Sequence, residues 1–107
     1  MQEALLVEDN PDDIKLMLRA LRKNRMNNDF TVVQDGAEAL DYLFGQGGYA
    51  GRDTDIQPSL VLLDLNLPKV GGLDVLRRIR ADGRTKFIPV VVLRDVDINN
   101  YPILLVF

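Results

Sequence analysis

Four short β-prone runs, Ala4 to Val7, Phe30 to Val33, Leu60 to Leu63 and Ile88 to Leu93, are separated by stretches whose apolar residues recur at helical spacing. Leu60 to Leu63 is apolar throughout, as suits a strand covered on both faces. Strands that alternate with helices pair in parallel through right-handed crossovers, so the pattern predicts an open, doubly wound α/β sheet.

The helical stretches carry their own boundary signals. Asn10 can cap a helix with Pro11 at its first position, and Asp12 and Asp13 in the first turn suit the positive end of the dipole. Ile14, Met17, Leu18 and Leu21 then recur on one face, with Arg19, Arg22 and Lys23 toward the end. Asp35-Gly36-Ala37-Glu38 reads as a capping box that opens a helix through Phe44, closed by Gly45, with Leu40, Leu43 and Phe44 on its apolar side. The Gly- and Asp-rich loop from Gly45 to Pro58 exceeds the usual length of about 4 to 6 residues. After Gly71-Gly72, Leu73, Leu76 and Ile79 predict a third helix with a basic outer side at Arg77, Arg78 and Arg80, and the stripe Arg77, Arg78, Arg80 and Arg84 reads as a solvated helix face. Tyr101 to Phe107 is nearly all apolar around Pro102 and fits one more strand.

The 107 residues are the size of one domain, 1–107. The chain contains no Cys and no His, which removes disulfides, thiolate nucleophiles, imidazole bases and both residues as metal ligands. A formal charge of −3 argues against holding nucleic acid by net charge. The start, Met1-Gln2-Glu3, lacks a basic leader, and no run approaches about 18 apolar residues, so a cytoplasmic protein without membrane attachment is expected.

What chemistry remains is carboxylate chemistry. Glu8 and Asp9 end the first strand and Asp64 ends the third, and in a parallel sheet all those ends meet one edge, where ligands bind. If the two strands are neighbours, three carboxylates share a cleft, and their repulsion calls for a cation. Oxygen ligands without His or Cys favour Mg²⁺, with waters and a phosphate completing its shell, and one carboxylate could then act as nucleophile. Glu8, Asp9 and Asn10 also satisfy ordinary turn and cap preferences. Asp64 resists that explanation, because it follows four apolar residues and precedes Leu65. Other motifs are weaker. Gly45, Gly47 and Ala50 have dinucleotide-fingerprint spacing but follow a helix rather than a strand, and Ser59, the one serine, has no His to activate it.

At these residues the chain resembles a response-regulator receiver domain of the CheY-like type. The likeness runs from about Leu5 to Leu93, through Leu-Val-Glu8-Asp9-Asn10, Asp35-Gly36, Leu-Leu-Asp64-Leu-Asn66-Leu-Pro68 and Pro89-Val-Val-Val-Leu93. It implies strand order 2-1-3-4(-5), with Asp64 as phosphoacceptor and Mg²⁺ held by Glu8, Asp9, Asp64 and the main-chain carbonyl of Asn66. The phosphoryl donor would be a phosphohistidine on a partner histidine kinase, and such a domain takes part only in its own phosphoryl transfer rather than acting as a turnover enzyme. Asp41-Tyr42-Leu43-Phe44-Gly45 and Tyr49-Ala50-Gly51-Arg52 resemble more narrowly the single-domain regulators of phytochrome-type kinases.

The chain departs from that family in its last part. Gly71 replaces the Asp before Gly in the Pro-x-x-Asp-Gly turn, Arg94 stands where a Thr or Ser would bind the phosphoryl group, and the last lysine is Lys86, so the lysine of the fifth strand has no counterpart. Residues 94–107 cannot hold the family's fourth helix, fifth strand and fifth helix, so 1–93 reads as receiver core and 94–107 as a divergent tail. A sheet face left uncovered would favour self-association, with the tail pairing or swapping onto a second chain. Two other readings follow from the same residues. One is a receiver-like interaction or dimerisation module that does not switch on phosphorylation. The other is a haloacid-dehalogenase-type phosphatase, which would want Asp-x-Asp where this chain has Asp64-Leu65-Asn66.

Overall fold

A computed structural model describes residues 3–23, 29–64, 67, 69–96 and 102–106. The strands are β1 (Glu3–Val7), β2 (Asp29–Val33), β3 (Leu60–Asp64), β4 (Val90–Val96) and β5 (Pro102–Val106), and the helices are α1 (Pro11–Lys23), α2 (Gly36–Phe44) and α3 (Gly72–Ala81). They form one sheet in the order β2-β1-β3-β4-β5, with the first four strands parallel. The parallel α/β sheet in the order 2-1-3-4 is thus the one expected.

Strand order and crossover hand divide the helices between the faces. The step from β1 to β2 runs opposite to the steps from β2 to β3 and from β3 to β4, so right-handed connections put α1 on one face and α2 and α3 on the other. The α2/α3 face holds the main core: Leu5, Val7, Val61, Leu63, Val90 and Val92 from the strands meet Ala39, Leu43, Val75 and Ile79 from the helices. Each such Val, Leu or Ile side chain contributes about 1.5–3 kcal/mol when fully buried. On the other face Ala4, Leu6 and Leu62 are buried, while α1 itself buries no residue completely and keeps Ile14, Met17, Leu18 and Leu21 half-buried.

The cap signals are realised. Asn10 Oδ1 accepts from the backbone N–H of Asp12 at 2.9 Å. Asp35 accepts from the Glu38 N–H at 2.7 Å, and Glu38 Oε1 accepts from the Gln34 N–H at 2.9 Å, so the expected capping box closes one residue further out. Gly45 takes the left-handed conformation, φ 63°, that ends α2.

The long loop after α2 is folded rather than loose. It contains a 3-10 turn at Gly47–Tyr49, Arg52 stacks 4.1 Å from the centroid of Tyr42, and Tyr49 lies edge-on to Tyr42 at 5.1 Å. The Tyr42 hydroxyl donates to Glu3 Oε1, and Gln57 Nε2 donates to the Leu43 carbonyl at 2.9 Å. Together these contacts clamp the insertion to α2 and β1.

Four expectations are corrected. The fourth strand is Val90–Val96 rather than Ile88–Leu93, because the Ile88 N–H donates to Thr85 and closes a turn. On α3, Val75 and Ile79 are the buried residues, whereas Leu73 is 54% exposed. The basic side of α3 is only partly a solvated face. Arg80 donates to the Ile88 carbonyl at 2.7 Å, and Arg78 and Arg84 lie 5.7 and 5.1 Å from the Phe44 ring centroid. Lastly, β5 runs antiparallel to β4, with Val91 opposite Val106 and Leu93 opposite Leu104. A parallel return needs a crossover of about a dozen residues, and the link from Val96 to Pro102 is far shorter. The tail strand therefore pairs with its own chain, although Tyr101 and Phe107 lie outside the described residues. Among the described residues, no helix is long and apolar enough to cross a membrane.

Gly36 opens α2 where a Cβ would collide with the carbonyl oxygen of Val70. Gly36→Ala should lower the unfolding free energy by about 1–3 kcal/mol in urea titrations without changing the m-value. An unchanged midpoint would show that the β3–α3 loop yields freely.

Candidate metal and phosphoacceptor centre

Parallel register builds the site. β1 and β3 are hydrogen-bonded neighbours with Val7 opposite Leu63, so the next residues along, Glu8 and Asp64, emerge side by side at the carboxyl edge of the sheet. Asp9 follows in the turn that leads to the α1 cap. One carboxylate oxygen from each of Glu8, Asp9 and Asp64 lies within 4.8 Å of the others. Three of the four expected metal-site residues are thereby brought together, and the fourth, Asn66, lies outside the described residues.

The three carboxylates differ in surroundings. Asp9 is exposed, Asp64 half-buried and Glu8 only 5% exposed. Burial pushes the Glu8 carboxyl from its ordinary 4.5 up to about 7; the Asn10 amide, donating to Glu8 Oε1 at 3.2 Å, pulls partly back, and the Asp64 charge pushes further up. A carboxylate crowded in this way needs a proton or a cation. Two mostly enclosed oxygens and one open one, all hard donors, fit a divalent cation that keeps part of its water shell.

The rim of the site comes from the β3–α3 loop and from β4. Lys69, in the β3–α3 loop, adopts a left-handed conformation, φ 65°, and its ammonium lies 3.5 Å from Asp35 Oδ2 at the cap of α2. Strain of this kind at a non-glycine residue costs on the order of 1 kcal/mol, and the Asp35 pair offsets part of it. The sequence carried no sign of it, since nothing in Pro68-Lys69-Val70-Gly71 singles out Lys69 as the residue in that conformation. On the other side, β4 places Leu93 opposite Asp64, so Arg94 stands one residue beyond, at the same edge.

The remaining motifs do not converge here. Gly45 caps α2 and Gly47 sits in the 3-10 turn, so neither belongs to a strand-to-helix phosphate loop. The Ser59 hydroxyl donates to the Glu3 carbonyl at 3.1 Å, at the opposite edge of the sheet.

The family description "Response regulator receiver domain" matches residues 4–101. Among solved structures, the bacteriophytochrome response regulator AtBRR superposes with a TM-score of 0.82 at 47% identity, over 89% of this chain and 67% of that one. The phosphorylated cyanobacterial phytochrome response regulator RcpA superposes at 0.76 and 45%, over 92% and 67%. The Mn(2+)-bound form of response regulator Rcp1 gives 0.78 and 38%, over 88% and 66%. Response regulator Rcp1 of Synechocystis sp. is 40% identical over 89 residues, 83% of this chain, and the match spans 58% of that protein's length.

The raised Glu8 group has a definite sign. A carboxyl that holds its proton more tightly when folded contributes stability that is present below 4.5 and is lost as pH rises toward about 7. In metal-free buffer Glu8→Gln should match the wild type at the acid end of this window and exceed it at neutral pH, as read by urea unfolding. A difference that stays constant with pH would contradict this.

Proposed function

The chain belongs to the response regulator receiver domain family, and from that premise we propose that it accepts a phosphoryl group on Asp64 from a partner histidine kinase of the phytochrome type. The observation that carries this reading is the convergence of Glu8, Asp9 and Asp64 at the carboxyl edge of the sheet. Its likeness to phytochrome response regulators, one of them phosphorylated, supports the choice of partner. A receiver is a two-component signalling domain rather than a turnover enzyme, and its site of action is the cytoplasm.

An oxygen of the Asp64 carboxylate attacks the phosphorus of a phosphohistidine. The new O–P bond forms as the P–N bond breaks, and the electron pair stays on the imidazole nitrogen, which takes up a proton. Because the chain has no His, that imidazole belongs to another protein. Glu8, Asp9 and Asp64, with the main-chain carbonyl of Asn66 that the family resemblance adds, would hold Mg²⁺, which would supply neutralisation of the charge on the transferring group. Glu8 and Asp9 fix the acceptor's surroundings, and the parallel register of β1 and β3 fixes its position. Arg94 follows Leu93 in the sequence, at the position where the family resemblance implies a hydroxyl residue. An arginine attracts phosphoryl oxygens but does not reproduce the short hydroxyl contact that reports their arrival.

One observation favours a second reading, an interaction module that does not switch. Among the described residues β5 runs antiparallel to β4, a course that differs from the parallel fifth strand that the receiver resemblance implies.

Mass spectrometry after incubation with acetyl phosphate and Mg²⁺ tests acceptance. The wild type should gain one phosphoryl group, lost in Asp64→Asn and suppressed by a chelator. No adduct on the wild type would overturn the proposal. Amide NMR separates the two readings. If acceptance is kept and readout lost, phosphorylation should shift wild-type signals only near Glu8, Asp9 and Asp64, and Arg94→Thr should extend the shifts along β4. Wild-type shifts that already run through β4 and β5 would show intact switching.

A further inference from the structure

Among the described residues, Lys69 is the non-glycine residue with a positive φ, at 65°. An L side chain is strained in that conformation, and such strain persists where the surroundings over-determine it. Glycine would adopt the conformation freely, so what a lysine adds at this position is its side chain. Its ammonium reaches across to another element, 3.5 Å from Asp35 Oδ2. The other oxygen of that carboxylate accepts from the Glu38 N–H at 2.7 Å, which anchors the pair on the first turn of α2. A second contact fixes the next residue. Val70 lies so close to Gly36 that a Cβ there would meet its carbonyl oxygen. The chain after β3 is therefore fastened to the start of α2 twice, once through a side chain and once through close backbone approach.

Lys69 stands five residues beyond Asp64, a tether of at most about 18 Å when fully extended. Where Lys69 is held thus limits how the chain leaves Asp64. We propose that Lys69, through its pair with Asp35, is a positioning residue for the metal site, holding the β3–α3 loop beside Glu8, Asp9 and Asp64 in the arrangement that receives the divalent cation. This role rests on the metal and phosphoacceptor reading of that cluster. Lys69 is not a ligand, and its charge acts in the opposite sense. A cation near the cluster repels another cation, so by charge alone its removal would tighten Mg²⁺ binding. Positioning predicts the reverse, because a loop released from α2 must be ordered again when the metal binds. The sign of the change in affinity separates the two effects. With the lysine side chain 70% exposed, the pair has modest strength, and a change of a few-fold is expected rather than a loss of binding.

Amide NMR titration of the whole chain with Mg²⁺ reads the affinity directly. Lys69→Gln should raise the Mg²⁺ Kd by about three- to fivefold, and Lys69→Arg, which can keep the pair, should stay close to the wild type. Asp35→Asn retains a capping oxygen for Glu38 but loses the charge, and it should weaken Mg²⁺ binding as well. Once that pair is gone there is nothing further for Lys69 to hold, so adding Lys69→Gln to Asp35→Asn should weaken binding no more. A Kd for Lys69→Gln equal to or below the wild-type value would overturn the positioning role while leaving the acceptor reading in place. A weakening that Lys69→Arg shares in full would overturn it too. Wild-type protein that binds no Mg²⁺ would overturn both the role and the reading on which it rests.

Discussion

The convergence of Glu8, Asp9 and Asp64 at one edge of the sheet is the constraint around which the structure is organised. Two of these carboxylates are brought side by side by the pairing of β1 with β3, whose register puts Val7 opposite Leu63. Burial of Glu8 makes the arrangement costly without a proton or a cation. A fold that keeps such a cluster at the mouth of a parallel sheet retains a destabilising element, and the packed α2/α3 face supplies the stability against which it is held. The site and the core are therefore two ends of the same strands: Leu5, Val7, Val61 and Leu63 anchor what Glu8 and Asp64 expose.

The rest of the carboxyl edge is tied to this cluster by short links. The Glu8 backbone N–H donates to Val33 at 3.0 Å, which fixes the end of β2 beside the site. Asp35 at once caps α2 and holds Lys69, so the loop that follows Asp64 is fastened to the start of α2, and Gly36 lets that loop approach. At the far edge, Arg52, Tyr42 and Glu3 fasten the insertion to the body, while Arg80 and Arg84 close the α3–β4 turn. Arg78, Arg80 and Arg84, which look like part of a solvated stripe in the sequence, lie against carbonyls and a ring face, whereas Arg77 stays exposed.

Much of this was legible before the structure. Uninterrupted apolar runs with acids at their ends predict buried parallel strands and their shared edge, and Asn10, Asp35 and Gly45 mark helix ends by local hydrogen-bonding rules that need no tertiary information. What was not legible depends on distant partners. Leu73 has the right spacing to be buried, yet Val75 takes that place because the helix is rotated to meet the core. Lys69, in its left-handed conformation, pairs with the distant Asp35, and the antiparallel course of β5 depends on a link too short for a crossover. Residue type alone could supply a strand at Pro102 to Val106 but not its direction.

Beryllofluoride, which binds as a phosphoryl mimic, probes the cluster and the acceptor together without turnover. The ¹⁹F NMR spectrum of the chain with beryllofluoride should show a bound signal only when Mg²⁺ is present, and Asp64→Asn should abolish it. A wild-type spectrum with no bound signal in the presence of Mg²⁺ would contradict the account, because the three carboxylates would then be a structural cluster and not an acceptor site.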